Sequence, residues 1–306
     1  MDLLQSIKNL KNFLPLLRQQ KDILYTSLLF DQKADTLTQL ALNSNSKGVT
    51  NDKYGNTEII VSLTTYGRRL YRVHLTIESL MQQSMKANRI VLWLSDEFKD
   101  TLPQTLLKQT KRGLDIRYCK DIRSYTKLVP SLREFPEATI ITVDDDIIYE
   151  YDVLENLIVP HLKDQKSIFA NRIHLMKKDA KGKLESYMKW KWSAPYTGRT
   201  DKCNFLTGVG GVLYPPNSLD KEVLNEKVFL DICKYADDIW FTAMALKAGT
   251  PIIKTFTFNS KGEGYLENIH VQETGLSIQN IDPISCRNDY QIESVFSKYD
   301  LYKLIQ

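Results

Sequence analysis

The sequence holds no long uninterrupted apolar run, no closely spaced pair of cysteines and no strong excess of either charge. Each absence closes off a class of protein. The most apolar terminus, "MDLLQSIKNLKNFLPLLRQQ", is broken by Asp2, Lys8, Lys11 and Arg18, so it reads neither as a signal peptide nor as a membrane-spanning helix, and any membrane contact is expected to be peripheral. Cys119, Cys203, Cys233 and Cys286 lie far apart, without zinc-ribbon or thioredoxin spacing. A reduced, cytoplasmic setting is expected, at most at the inner face of the cell membrane. Against 37 acidic residues stand 41 basic ones, a net charge of +4 that is too small to argue for nucleic acid. It suits phosphorylated small molecules or an anionic membrane surface.

What is present is an ordinary globular composition over 306 residues, with 42% hydrophobic and 25% charged side chains. That length supports one large α/β domain, or a catalytic domain with a smaller helical appendage. The spacing of Leu3, Ile7, Leu10, Leu14 and Leu17, then Ile23, Leu28, Leu37 and Leu40, predicts helical segments with an apolar stripe, and Pro15 is expected to kink or divide the first. Such a stripe suits packing on the rest of the chain, a homo-oligomer, or peripheral membrane contact. "NSNSKGVTNDKYGN", Asn43 to Asn56, reads as a linker. The expected division is a helical extension and linker over 1–57 and a catalytic domain over 58–306.

Beyond the linker the apolar period changes. Strands are predicted in "EIIVSL", "NRIVLWLS", "LDIRYCK", "ATIITV", "SIFANRIHLMKK", "FLTGVGGVLYPP" and "PIIKTF", with helices between most of them. This alternation predicts an α/β fold, a mostly parallel twisted sheet flanked by helices. Ligands of such sheets sit beyond the C-terminal strand ends.

One of those ends is "ATIITVDDD". In extended backbone Asp144 and Asp146 would face one side and Asp145 the other. Two carboxylates so placed could share a hard divalent cation with the oxygens of a diphosphate, although an ordinary solvated turn or helix cap would use the same residues. In the loop after the first strand, Thr64 and Thr65 offer hydroxyls, Tyr66 could stack on a base, and Arg68 or Arg69 could pair with phosphate. Gly208, Gly210 and Gly211 would let backbone approach a sugar closely, or serve a bulge. Trp190, Trp192 and Tyr196 could present flat faces to sugar rings, or pack in the core. In "YADDIWF", Asp237 sits where a helix N-cap would be, leaving Asp238 free to face a cleft.

With "VSLTTYGRR", the strand ending in "DDD", and "GVGGVLYPP…YADDIWF", the chain over about Glu58 to Phe258 resembles a bacterial nucleotide-sugar glycosyltransferase of the glycosyltransferase A fold, family 2-like, of the kind that builds capsule or lipopolysaccharide glycans. The resemblance implies a Rossmann-like fold, a nucleotide-sugar donor with UDP expected, and Mn2+ or Mg2+. It implies a glycan or lipid-linked saccharide as acceptor and an inverting reaction. It places the nucleotide at Ser62 to Tyr66 and Arg68, with Arg123 and Lys127 lining its pocket and Lys127 on the diphosphate. Asp144 would lie toward ribose or sugar, Asp146 on the metal, and Gly210 and Gly211 in a wall between donor and acceptor. Asp238, second of an acidic pair, would be the general base. The usual pair is Glu-Asp, so Asp-Asp leaves the roles of Asp237 and Asp238 open. A late histidine ligates metal in some such enzymes, which makes His270 a candidate ligand. A nucleotidylyltransferase would also place carboxylates at strand ends, but would want more glycine than the single one in "VSLTTYGRR". A noncatalytic carbohydrate-binding protein could keep the fold without the chemistry.

Overall fold

A computed structural model describes residues 3–195, 203–256, 265–267 and 286–305, with residues 3–19 described by backbone alone. Its centre is a seven-stranded sheet of β1 (Ile59–Thr64), β2 (Arg89–Leu94), β3 (Leu114–Tyr118), β4 (Thr139–Thr142), β6 (Ile168–Ala170), β9 (Val212–Tyr214) and β10 (Ile252–Lys254), in the order β10-β6-β9-β4-β1-β2-β3. β9 runs antiparallel to both its neighbours, β4 and β6, and the other pairings are parallel, so the sheet is mixed. Two small antiparallel pairs flank it, β5 (Ile147–Tyr149) with β11 (Tyr265–Glu267), and β7 (Ile173–Leu175) with β8 (Asn204–Leu206).

The central strands read as continuous apolar runs because both faces are covered. Along β1, Ile59, Val61 and Leu63 enter one core. That core is closed by α2 (Val73–Met81), α3 (Gln104–Thr110) and α5 (Val153–Lys163). Ile60 enters the other, closed by α4 (Val129–Glu134), α6 (Glu226–Ile232), α7 (Asp237–Ala248) and α8 (Arg287–Lys298). From β1 the chain winds outward through β2 and β3, then returns to lay β4 on the opposite side of β1. The C-terminal ends of β1 and β4 therefore form a topological switch point, where a crevice opens between diverging loops.

Two expectations are corrected here. "SIFANRIHLMKK" is two strands in different sheets, parted at Asn171, whose side-chain amide donates to Val153 O and Gly210 O, each at 3.1 Å. The N-terminal segments are a single helix, α1 (Leu3–Asn43), which runs through Pro15. A proline removes one N–H bond, and a helix this long has enough turns on either side to outvote that loss.

Among the side chains of α1 that are described, burial begins at Phe30. Phe30, Ala34, Leu37 and Ala41 recur at helical spacing and are buried, the first three against Leu75 of α2 and Ile148 of β5. Lys33 pairs with Glu150 at 2.7 Å, and Thr38 Oγ1 meets His74 Nε2 at 3.1 Å. Upstream, Ile23, Leu24, Tyr25 and Leu28 are exposed. The expected linker is fastened down: the Gly48 N–H donates to Arg112 O at 2.8 Å, the Thr50 N–H to Ala87 O at 3.0 Å, and Asn88 Nδ2 to Asp52 O at 2.7 Å. No described helix is long and apolar enough to cross a membrane.

Candidate functional site

The switch point brings the loop after β1 against the acidic tripeptide after β4. β1 ends where Thr64 Oγ1 donates to Trp93 O at 2.9 Å, and Thr65 Oγ1 donates to Asp145 Oδ2 at 2.5 Å. Both hydroxyl protons are thus committed inside the protein. Tyr66 follows, 71% exposed, with its ring free to stack. A 3-10 turn over Gly67–Tyr71 then carries two arginines. Arg68 is exposed, and it is Arg69 that turns inward, pairing with Asp145 at 2.8 Å and Asp146 at 3.3 Å.

The tripeptide does not keep the alternation of a strand. The chain leaves β4 at Val143 and turns at Asp145 and Asp146 before β5. As a result Asp145 and Asp146 share Arg69, while Asp144 reaches the other way to Lys127 at 2.8 Å. Asp145 is buried, and burial raises its proton affinity against the opposing pull of Arg69 and Thr65. Asp146 is pushed up to about 7, first by burial and then by the charge of Asp145, with Arg69 opposing. On Arg69 burial works the other way, and the aspartates overcome it to hold the guanidinium more firmly charged.

Lys127 is set from below. Ser62, buried in β1, donates to Lys127 O at 2.6 Å, and its oxygen also meets Ser131 Oγ at 2.7 Å, which in turn accepts from Trp93 Nε1 at 2.7 Å. Backbone so pinned delivers the ammonium to two carboxylates, with a third, Asp238, acting on it through space. Nζ bonds Asp144 Oδ1 and lies 2.9 Å from Asp237 Oδ2, an ion pair without the alignment of a hydrogen bond. Burial would drive its proton off, but Asp144, Asp237 and Asp238 outweigh burial and keep Lys127 charged well beyond the usual lysine range.

Neither aspartate of α7 caps the helix. The N-cap is Ala236, with Asp237 and Asp238 both inside the first turn, so the expected cap role of Asp237 is corrected: its carboxylate serves Lys127. Asp238 Oδ1 accepts from the Gly208 N–H at 3.0 Å. Its proton affinity rises to about 7, first through burial, then through Asp237 and Asp144, against the opposing Lys127. Gly208 is where the charges close in. A Cβ there would lie 2.6 Å from Lys127 Nζ, 3.2 Å from Asp238 Oδ1 and 3.4 Å from Asp144 Oδ1. The buried Tyr149 hydroxyl ties the same turn to the tripeptide, accepting from the Asp144 N–H at 2.9 Å and donating to Val209 O at 3.0 Å.

Other sequence candidates fall elsewhere. At Gly210 a Cβ would meet the backbone N of Arg172 at 3.1 Å, and Gly211 has φ +88, so these two serve the strand turn and Gly208 faces the charged centre. Trp190 is buried against Tyr187 and Phe205, its indole N–H given to Glu185 O at 2.8 Å. Trp192 stacks on His174 at 5.3 Å and donates to Tyr187 O at 3.1 Å. Core packing therefore accounts for Trp190, while Trp192 is half-buried against the same cluster. Arg123 lies over Tyr235, its Cζ 5.2 Å from the ring centroid. Tyr196 and His270 lie outside the described residues. Tyr149 and Ser131 were not among the expected site residues, and neither carries a signal in a single sequence, since a tyrosine in "DIIYEY" reads as strand filling.

The donor set fits a divalent cation in part. Asp144 and Asp146 each commit one oxygen to a protein cation, and both carboxylates are partly open to solvent. Burial first, and then the charge of Asp145, make the ionised form of Asp146 costly, a cost that a bound cation would relieve. Among the described residues no group of three acidic, cysteine or histidine ligands could hold an ion by itself. A cation here would take its remaining ligands from water and a diphosphate, as Mg2+ does in sites with one or two carboxylates.

No family model matches the sequence, and no curated protein matches it. Among solved structures the chain is similar to the mannosyltransferase PcManGT from Pyrobaculum calidifontis in complex with GDP-Man and Mn2+, at 15% identity and a TM-score of 0.47 over 94% of this chain and 78% of that one. It is similar to a CMP:2-keto-3-deoxy-manno-octonic acid synthetase complexed with CTP, at 13% identity and a TM-score of 0.42, covering 73% of this chain and 98% of that one. It is also similar to residues 1–349 of S. aureus TarS in complex with UDP, at 14% identity and a TM-score of 0.41, covering 65% of this chain and 58% of that one. Likenesses this distant assign no residue a role, so the functional case rests on the geometry of the site.

Proposed function

We propose that the chain transfers a sugar from a nucleotide diphosphate sugar, with UDP as the nucleotide, to a hydroxyl of a glycan or lipid-linked saccharide, inverting the anomeric centre. One observation carries the reading: at the switch point a single buried ammonium, Lys127, gathers Asp144 from the end of β4 and Asp237 from the start of α7, beside an Asp238 whose proton affinity lies near neutrality. A nucleophile's proton and a leaving group's charge can both be managed there.

In this reading Tyr66 stacks on the base, and Arg69 and Lys127 supply positive charge where the diphosphate gains negative charge. Asp144 and Asp146 would hold Mn2+ or Mg2+, which when bound stabilises the departing diphosphate as a Lewis acid. Asp238 takes the acceptor hydroxyl proton as that oxygen bonds to the anomeric carbon, and the bond from that carbon to the diphosphate oxygen breaks with its electron pair. A base with a pKa near the working pH is both ionised and proton-accepting, which suits this task. The Gly208 N–H keeps one Asp238 oxygen fixed, leaving the other for the acceptor. Residues 58–306 would be the catalytic domain and 1–57 an extension fastened to it, the exposed Ile23 to Leu28 stretch offering a peripheral contact at the inner face of the membrane.

A panel of nucleotide sugars, scored for metal-dependent nucleotide release and repeated with Asp146→Asn, tests the reading. UDP release that needs the metal and Asp146, with inversion seen by NMR of the first-formed product, is expected. Pyrophosphate release from a nucleoside triphosphate and a sugar phosphate would replace the reading with nucleotidyl transfer. Retention of configuration would remove Asp238 from its role.

A further inference from the structure

α1 carries two apolar patterns, and they change over near Phe30. Downstream, Phe30, Ala34, Leu37 and Ala41 make the buried stripe described above. Upstream, leucine recurs at every seventh residue, Leu3, Leu10, Leu17 and Leu24. Between them Ile7, Leu14 and Leu28 fill the alternate places, with Lys21 the one exception. From Leu3 to Leu28 the spacing alternates strictly between 4 and 3 residues, so leucine holds each d position of a heptad repeat and apolar residues hold three of the four a positions. The next d and a positions are Asp31 and Asp35. The heptad therefore ends where docking begins.

The stripe is also narrow. Five of its eight flanking e and g positions are polar, Ser6, Lys11, Arg18, Gln20 and Ser27, whereas a helix lying in a lipid interface presents a broader apolar face. A two-column seam fits a second helix of the same pattern, each a or d side chain entering a hole between four residues of its partner. Leu24 and Leu28, the seam leucines whose side chains are described, are each 61% exposed. Pro15 falls at the outward b position, so α1 passes through it without losing a seam residue. Phe30 stands two residues past Leu28, about 160° round a helix of 3.6 residues per turn. A partner on the seam thus leaves the docked stripe untouched.

Charge decides the orientation. From Leu3 to Lys21 the chain has four cations, Lys8, Lys11, Arg18 and Lys21, and no acid. With two copies antiparallel and fully overlapped, e faces e, and Lys11 of each would meet Arg18 of the other. With the copies parallel, e faces g, and Lys11 and Arg18 meet the uncharged Ser6 and Phe13. Lys21 then stands opposite its own copy in a single polar layer, which fixes register at a cost in stability.

We propose that residues 3–28 of α1 form a parallel two-stranded coiled coil with a second copy of this chain. The dimer is independent of the chemistry proposed above, and Ile23, at the outward c position, stays outside the seam. Sedimentation equilibrium of the full chain should show a dimer at micromolar concentration. Leu10→Glu/Leu17→Glu should weaken it about a hundredfold or more, because each change buries facing charges in a d layer. Asn12→Glu/Gln19→Glu, the same charge change at outward f positions, should leave it unaltered. Lys21→Leu should tighten it about tenfold or more by removing the polar layer, a gain that keeps the test decisive where the glutamate variant does not fold. Leu24→Cys should join two copies by a disulfide under mild oxidation, beyond any linkage wild type forms through its own cysteines. A wild-type chain that stays monomeric overturns the proposal. If that monomer floats with phosphatidylglycerol–phosphatidylcholine vesicles until Leu10 and Leu17 are replaced, the stripe belongs to the membrane instead. A dimer indifferent to Leu10→Glu/Leu17→Glu puts the interface elsewhere, and one that Leu24→Cys does not link is not parallel; either result overturns the pairing.

Discussion

Among the described residues, two buried ionic clusters are built on opposite principles. Glu78 and Arg112 are 0% and 3% exposed, one acid against one base, joined by two parallel bonds of 2.8 and 2.9 Å. Most of the remaining demand is met: Gln82 and Gln109 donate to the carboxylate, and the guanidinium gives its Nε to Ser46 O at 2.7 Å and a further bond to Leu40 O. Around Lys127 three carboxylates compete for one ammonium, and Asp238 answers by holding its proton up to about 7. The first cluster is balanced and locks α1 and the following strap to α2 and α3. The second carries surplus negative charge, which a fold has no structural reason to keep and which a proton, a cation or a substrate can resolve.

Breaking each cluster should therefore give different losses. The largest is expected from Asp238→Asn: kcat should fall about 10²–10⁴-fold with UDP affinity unchanged, since an amide keeps the shape but takes no proton. Single-turnover kinetics check this, and a loss under tenfold would move the base elsewhere. Next comes Arg112→Met, which leaves Glu78 buried with no counter-charge. Unfolding free energy from urea titration should drop by about 3–5 kcal/mol, with the kcat of the folded fraction unchanged. Adding Glu78→Leu should restore most of the loss, because a buried pair is replaced by apolar contact more cheaply than it is split.

Gly208→Ala sits between the two. The added Cβ would fall 2.6 Å from Lys127 Nζ, the end of a flexible side chain, so the fold should survive while the ammonium moves off Asp144. Displacement of about an ångström at a reacting centre costs up to about 10²-fold, so kcat should fall roughly 10–100-fold with little change in melting temperature. An unaltered kcat would show that Lys127 need not stand where it does.

How much of this was legible beforehand follows from what a linear sequence can encode. β1, β2 and β4 were readable because strands covered on both faces are unbroken apolar runs, and the acids after β4 stood out against such a run. Which acid faces which cation was not readable. Side-chain alternation presumes extended backbone, and the chain turns at Asp145, which puts Asp146 beside Arg69 in place of Asp144. Arg68 and Arg69 differ by about 120° on a 3-10 turn of three residues, so choosing between them needs the turn itself. Trp190 illustrates a further limit: an indole suits a sugar and a core equally, and only its burial and its bond to Glu185 O decide for packing.

The smallest effect tests the surplus charge directly, through stability. Asp238 has a folded-state pKa raised to about 7, above its ordinary value of 3.8, so between those values the folded chain binds more protons than the unfolded chain. Stability must then fall as pH rises from about 4 to about 7 and stay lower above it. An asparagine at 238 has no proton to lose and escapes that fall. Asp238→Asn should thus match wild type near pH 4 and exceed it above pH 7 by about 1–2 kcal/mol, less than the full shift implies because the group is partly open to water, or a few degrees in melting temperature. Activity and stability would move in opposite directions on one substitution. If wild type and Asp238→Asn keep a constant difference from pH 4 to 8, Asp238 is ionised throughout and the negative charge beside Lys127 is already balanced.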